Sequence, residues 1–236
     1  ELGGRLTVTH ISFPPELYQD DALQVELSLP LPLPIRPRDA HKGSCGKVLF
    51  IAGAARYLGA PYFAALSFLK AGGGLSYLAT PRSIAPYIAN KGSEIVFLPQ
   101  TETAAGSLAL ANLDDLLAAS QGMDMVVLGP GLSLDSETQE LARALVARIE
   151  KPLLVDGDGL TAIAGAPELV RKRTAPTVLT PHPGEMARLQ QLSVADVQRH
   201  RVDVLQEAVA AWGAHIILKG AHSLIGYPDG QVFINL

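Results

Sequence analysis

The sequence predicts a three-layer α/β/α domain on a mostly parallel central sheet, and three observations lead there. Short apolar runs of strand length alternate along the chain with stretches of helical periodicity, the order expected of βαβ units. Those runs are continuously apolar, as strands are when helices cover both faces of a sheet. With 236 residues and 48% hydrophobic content, the chain can bury one sizeable core, as one large domain or one domain plus a fragment.

From the amino end, residues 5–11 (RLTVTHI) alternate like a strand, but so short a piece cannot make a core. Residues 1–28 therefore look like an addition to something larger. Residues 29–40 form a connector in which Pro30, Pro32, Pro34 and Pro37 remove backbone donors and favour an extended, stiff path. Strands are then expected at 48–51, 75–79, 95–98, 125–128, 153–155, 177–179 and 215–218. Helices are expected near 61–71, 108–119, 136–149, 183–189 and 194–212. Leu141, Leu145 and Ile149 fall on one helical stripe, as do Val194, Val197, Leu205, Ala208 and Trp212. Asp135 and Ser193 suit N-caps, Gly213 suits a C-terminal stop, and the Lys70–Gly74 stretch reads as a helix stop rather than a phosphate cradle. Runs 223–226 and 232–234, separated by Tyr227-Pro228-Asp229-Gly230, read as a β-hairpin.

Composition narrows the functional classes. A formal net charge of −4 without any dense Lys/Arg run argues against a nucleic-acid binder or a protein of anionic membranes. No apolar run reaches the ~18 residues a bilayer span needs. The single cysteine, Cys45, excludes an intrachain disulfide framework and a cysteine-cluster metal site. The setting expected from this is reducing and cytoplasmic.

Chemistry-bearing residues gather where strands end. Thr180-Pro181-His182-Pro183-Gly184-Glu185 follows one apolar run: two prolines fix the backbone about His182, Gly184 permits the turn, and Glu185 falls in the first turn of the next helix. The segment reads either as part of a ligand site or as a proline-stiffened connection with a solvated histidine. Ala52 to Pro61 is a small-residue loop opening a helix, a seat for a phosphate or a tight turn with packed glycines. Gly129-Pro130-Gly131-Leu132 would let the backbone approach a ligand closely. Asp156-Gly157-Asp158-Gly159 places two carboxylates at a strand end, able to reach Mg²⁺ through water or to cap a helix. Lys219-Gly220 follows the 215–218 run, as a nucleotide-phosphate ligand or a solvated lysine at a turn. His10, His41, His200 and His215 form no metal-ligand spacing and read as structural or surface residues.

Taken in order, HKGSCGKVLFIAGAARYLGAP, KAGGGLSYLATP, VVLGPGL, VDGDGL, LTPHPGE and ILKG resemble the dehydratase domain of the NAD(P)H-hydrate repair enzymes, a branch of the ribokinase-like superfamily. The resemblance runs from about residue 41 to the end. Residues 1–28 also look like the tail of the epimerase domain that precedes the dehydratase in fused bifunctional members, which makes this chain an expected excerpt of a two-domain polypeptide. The resemblance implies ADP- or ATP-dependent dehydration of (6S)-NADHX or (6S)-NADPHX to NADH or NADPH, with Mg²⁺, in a homo-oligomer. By motif matching, Ala60, Gly131 and His182 would contact the hydrated dinucleotide. Lys219, Gly220, Ala221, His222 and Ser223 would hold the adenine nucleotide's phosphate end, with Asp156 and Glu185 near the phosphates and Mg²⁺ and no direct metal ligand.

The family pattern also continues beyond the hairpin into a Gly-rich segment ending Gly-x-Gly-Asp, which supplies an anion hole and the base. That motif occurs nowhere in these residues. No catalytic residue is therefore assigned, residues 41–236 read as a domain truncated at its carboxyl end, and the isolated chain is expected to be catalytically crippled. Two rivals share the fold class: a ribokinase-like kinase acting on a small vitamin-like alcohol, and a non-catalytic nucleotide-binding module. The first would release a phosphorylated metabolite, and the second would bind without turnover.

Overall fold

The computed structural model describes residues 14, 23–30, 32 and 35–236. The strand expected at 5–11 lies outside them. The strands are β1 (Val25–Leu27), β2 (Lys47–Ile51), β3 (Leu75–Pro81), β4 (Val96–Gln100), β5 (Met125–Leu128), β6 (Leu153–Val155), β7 (Thr177–Leu179), β8 (His215–Leu218), β9 (Ser223–Gly226) and β10 (Val232–Asn235). They form one sheet in the order β1-β10-β9-β8-β7-β6-β5-β2-β3-β4. From β8 through β4 every neighbouring pair is parallel. The β8-β9-β10 meander is antiparallel, and β1 adds to β10 in parallel register, Val25 facing Val232. The turn expected between β9 and β10 is present: Gly230 takes φ 91° and donates its N–H to the Tyr227 carbonyl.

The helices are α1 (Gly59–Lys70), α2 (Ala85–Ala89), α3 (Leu113–Gln121), α4 (Ser136–Arg148), α5 (Asp158–Ile163), α6 (Glu168–Arg171), α7 (Pro183–Gln190), α8 (Val194–Arg199) and α9 (Arg201–Trp212). Expected caps hold. The Asp135 carboxylate accepts from Glu137 N and Thr138 N, Ser193 Oγ accepts from Asp196 N, and Gly213 closes α9 in the left-handed region. The single helix expected over 194–212 is instead two, because the backbone leaves helical geometry at His200 (φ −123°, ψ 44°).

Alternate residues of the strands feed two cores. Leu49 and Ile51 of β2 join Val126, Leu128, Val155, Leu179 and Ile216 beneath α3 to α9, a core that also holds Trp212. Val48 and Phe50 point the other way, toward Ala65 of α1 and Ile88 of α2. This is the expected three-layer arrangement, with the second helical layer lying over β2, β3 and β4. Beyond it, Leu154, Val178, Ile217, Ile225 and Phe233 on successive strands are only half-buried.

At the amino-terminal ends of β6 and β7 sits one clamp. Arg173 donates from Nη1 to the Val146 and Ile149 carbonyls, from Nη2 to the Lys151 carbonyl, and from Nε to Thr177 Oγ1. It thereby satisfies carbonyls at the end of α4 that have no intrahelical partner. Desolvation by burial lowers the pKa of this guanidinium.

Candidate active site along the carboxyl rim

Strand order fixes where a ligand can sit. The chain builds β2, β3 and β4 in one direction, then returns to place β5 on the other side of β2, so the sheet has its topological switch between β2 and β5. In open α/β sheets, the crevice outside the strand carboxyl ends at such a point is the usual binding place. Gly53 N donates to the Pro130 carbonyl and Gly129 N to the Ile51 carbonyl, so the two loops are stitched together as they leave the sheet. Gly131 takes φ 64°, and a β-carbon there would lie 2.8 Å from Tyr57 Cβ and 3.1 Å from Ala60 Cβ. Ala60 and Gly131, 71 positions apart in sequence, are thus neighbours over the switch. Beside them is a hollow of about 430 Å³ lined by Arg56, Tyr57, Ser107, Ser133 and Asp135.

Over the next three strands along the rim, β6, β7 and β8, lies a charged cluster. Asp156 leaves β6, and its Oδ1 accepts from Thr180 Oγ1 at 2.8 Å and from Lys219 Nζ at 2.7 Å. Lys219 leaves β8 and also approaches Glu185 Oε2 at 3.8 Å. His182 is the N-cap of α7: its Nδ1 accepts from Gly184 N and Glu185 N, while Glu185 Oε2 accepts from His182 N at 2.7 Å. This reciprocal capping box leaves the ring proton on Nε2, 3.5 Å from Glu185 Oε1. The Glu185 side chain is only 8% exposed, whereas that of His182 is 53% exposed and available to a ligand. Lys219 N donates to the Pro181 carbonyl and ties the β8 loop to the β7 loop. An apolar hollow of about 460 Å³, lined by Phe50, Phe68, Val127, Pro130 and Leu154, reaches Asp156 from the side of α1.

Ala60, Gly131, Asp156, His182, Glu185 and Lys219 therefore stand on one rim, delivered by five adjacent parallel strands or the loops that follow them. Four strand spacings of about 4.8 Å separate the first from the last, roughly 19 Å in all. Gly220, Ala221 and His222 are exposed in the β8–β9 loop, and Ser223 opens β9. The two carboxylates of the Asp156–Asp158 pair do not act together. Asp158 lies in the first turn of α5, and its Oδ2 accepts from Ser133 N at 2.8 Å. It braces the loop after Gly131 and neither caps its own helix nor faces Lys219. Among the described residues, no group of three or more His, Cys, Asp or Glu side chains is arranged to hold a metal ion directly. Sequence reading did not single out Thr180, although it lies inside the LTPHPGE motif, nor Arg201, which enters the site from α9 without any local motif.

A model of the NAD(P)H-hydrate dehydratase family matches residues 48–236. The chain belongs to the NAD(P)H-hydrate dehydratase family. Over all of its 236 residues it is 51% identical to the bifunctional NAD(P)H-hydrate repair enzyme Nnr of Thermofilum pendens, covering 45% of that protein. The chain thus spans about half the length of the curated relatives of that kind. Among solved dehydratases, it resembles the ADP/ATP-dependent NAD(P)H-hydrate dehydratase from Bacillus subtilis co-crystallized with ATP/Mg²⁺, with a TM-score of 0.68 and 27% identity over 86% of this chain and 68% of that one. A ribokinase-like superfamily protein from Enterococcus faecalis shares the fold, with a TM-score of 0.71 and 24% identity over 86% of this chain and 66% of that one. The α/β class with a mostly parallel sheet is therefore that of the ribokinase-like dehydratases. Among the described residues, no helix is long and apolar enough to cross a membrane.

Proposed function

We propose that this chain carries the ligand-binding rim of an enzyme that dehydrates (6S)-NADHX or (6S)-NADPHX to NADH or NADPH at the expense of ADP or ATP. The observation that supports the reading most directly is the rim itself. A small-residue notch at Ala60 and Gly131 and a charged cluster at Asp156, His182, Glu185 and Lys219 share one edge of the sheet. In this reading the hydrated dinucleotide lies over Ala60 and Gly131 and reaches His182, while the phosphates of the adenine nucleotide meet Lys219 and the Gly220–Ser223 loop.

The chemistry follows from the poor leaving ability of hydroxide. A phosphoryl group passes from the nucleotide to the oxygen on C6 of the hydrated ring: the bond from phosphorus to the nucleotide oxygen breaks, and a bond to the C6 oxygen forms as its proton departs. The lone pair of the ring nitrogen then expels phosphate from C6, and loss of a proton from C5 restores the dihydropyridine. Such transfers need positioning and charge neutralisation more than covalent help. In this reading His182 Nε2–H would donate to an oxygen of the hydrated ring, and Lys219 Nζ would exchange its carboxylate partner for a phosphate oxygen. The proton acceptor for the C6 hydroxyl is expected on the Gly-x-Gly-Asp segment of the family pattern.

Asp156 and Glu185 would stand near a phosphate-bound Mg²⁺ and meet it through water rather than as direct ligands; Asp156 Oδ2 has no protein donor among the described residues, and Mg²⁺ keeps several of its waters. When bound, the ion would neutralise phosphate charge. A cytoplasmic setting and a homo-oligomeric state accompany this reading. The test is to mix the protein with hydrated NADH and ADP or ATP. Recovery of the near-ultraviolet absorbance of reduced nicotinamide, with release of inorganic phosphate, is the expected result for the whole enzyme. A stable phosphorylated metabolite in place of phosphate would establish a kinase instead.

A further inference from the structure

Arg201 opens α9, which packs against β8 and β9, and its side chain reaches under the β8–β9 loop. From Nη2 it donates to the carbonyl of His222 at 2.8 Å and to that of Leu218 at 3.3 Å. These carbonyls lie at the two ends of the Lys219–Ala221 turn, so one guanidinium closes the loop into a ring. Gly220 makes the approach possible, because a β-carbon there would lie 2.7 Å from Arg201 Nη2. The Arg201 Nε is buried with no hydrogen-bond partner. Among the described residues, no carboxylate forms an ion pair with this guanidinium. The guanidinium is half-buried, and its two carbonyl acceptors satisfy donors without neutralising its charge.

The charge balance of the rim says what would compensate. Lys219 stands against Asp156 and Glu185, one positive charge facing two negative ones, which by itself is a poor seat for a polyanion. Arg201 adds the missing positive charge directly beneath the turn. Resting on the nucleotide reading above, we propose that Arg201 is the positioning residue of the nucleotide loop. It fixes the Lys219–Ser223 backbone through the two flanking carbonyls and supplies the uncompensated charge that attracts the phosphates of ADP or ATP. It does not touch the reacting atoms.

The test measures binding of ADP, ATP and hydrated NADH by calorimetry on the full chain with Mg²⁺, for the parent protein and for R201M, R201K and G220A. R201M keeps the apolar stem but removes the donors and the charge, and is expected to weaken nucleotide binding by roughly ten- to hundredfold. Hydrated NADH binding should stay within about twofold, and R201K should recover a substantial part of the nucleotide loss. The salt dependence of the nucleotide Kd should flatten in R201M and persist in R201K. G220A displaces the guanidinium without deleting it and should reproduce the R201M phenotype, with little further loss in the double variant. Unchanged nucleotide affinity in R201M and G220A would overturn the proposal, as would equal loss of both ligands without recovery in R201K. Failure of the parent protein to bind any nucleotide would instead overturn the functional reading on which it rests.

Discussion

Replacing Lys219 by Met separates what the lysine does for the fold from what it does for a ligand. In the free protein its ammonium is 2.7 Å from Asp156 Oδ1, with the two side chains 41% and 29% exposed. A pair that open to water contributes about 0.2–1 kcal/mol. Glu185, the second carboxylate, keeps its hydrogen bond from His182 N after the substitution. The melting temperature should therefore fall by less than about 4 °C in a domain of this size. A phosphate contact from the same ammonium is charge-assisted and is worth about 1.5–3 kcal/mol, or roughly 10- to 150-fold in Kd. Binding should suffer toward the upper end, because the variant also leaves two carboxylates facing the incoming phosphates. Calorimetric titration with ADP and ATP in the presence of Mg²⁺ measures the binding effect, and a thermal melt measures the structural one. A Kd within about twofold of the parent value, or a melting temperature lowered by more than about 8 °C, would refute the assignment of Lys219 to the nucleotide.

Other substitutions test the remaining parts of the rim and the frame beneath it. His182→Ala should remove both the cap of α7 and the ring donor, lowering stability by about 1 kcal/mol and impairing hydrated-dinucleotide binding; His182→Asn should keep the cap and lose only the ligand effect. An equal loss of nucleotide affinity in both variants would place His182 on the wrong side of the site. Gly131→Ala forces an L side chain into φ 64° against Tyr57 and Ala60, and should cost about 1–2 kcal/mol, seen as a melting point roughly 2–8 °C lower, together with weaker hydrated-dinucleotide binding. Arg173→Met should destabilise the fold by about 2–4 kcal/mol in denaturant titration, because it strands three carbonyls at once, and should leave nucleotide Kd unchanged because it acts at the opposite rim.

Much of this architecture is legible in the sequence because buried parallel strands declare themselves as unbroken apolar runs. Met125–Leu128, Leu153–Val155, Thr177–Leu179 and His215–Leu218 fall where those runs predict. Elements without such a signal escape the reading. β1 is three exposed residues whose place depends on pairing with β10. α2 carries Pro86 in its first turn, α5 begins among Gly157 and Gly159, and α6 spans four residues. The break at His200 has neither Gly nor Pro to mark it, and the apolar spacing of α8 runs on into that of α9. The rim divides in the same way. Motifs at strand ends announce Gly131, Asp156, His182 and Lys219, since each follows its own strand. Thr180 as a partner of Asp156, Asp158 as a brace for Ser133 and Arg201 beneath the turn depend on contacts between residues 17 to 25 positions apart, which one-dimensional spacing does not encode.

The same one-strand, one-group delivery governs how such a protein can change. Asp156, the His182–Glu185 pair and Lys219 hang from the separate connections that follow β6, β7 and β8, whereas the ladder that aligns those connections is made of backbone and aliphatic side chains. Evolution can therefore exchange a single connection to alter which ligand is accepted while leaving the scaffold's register untouched, so ligand preference is a locally editable trait.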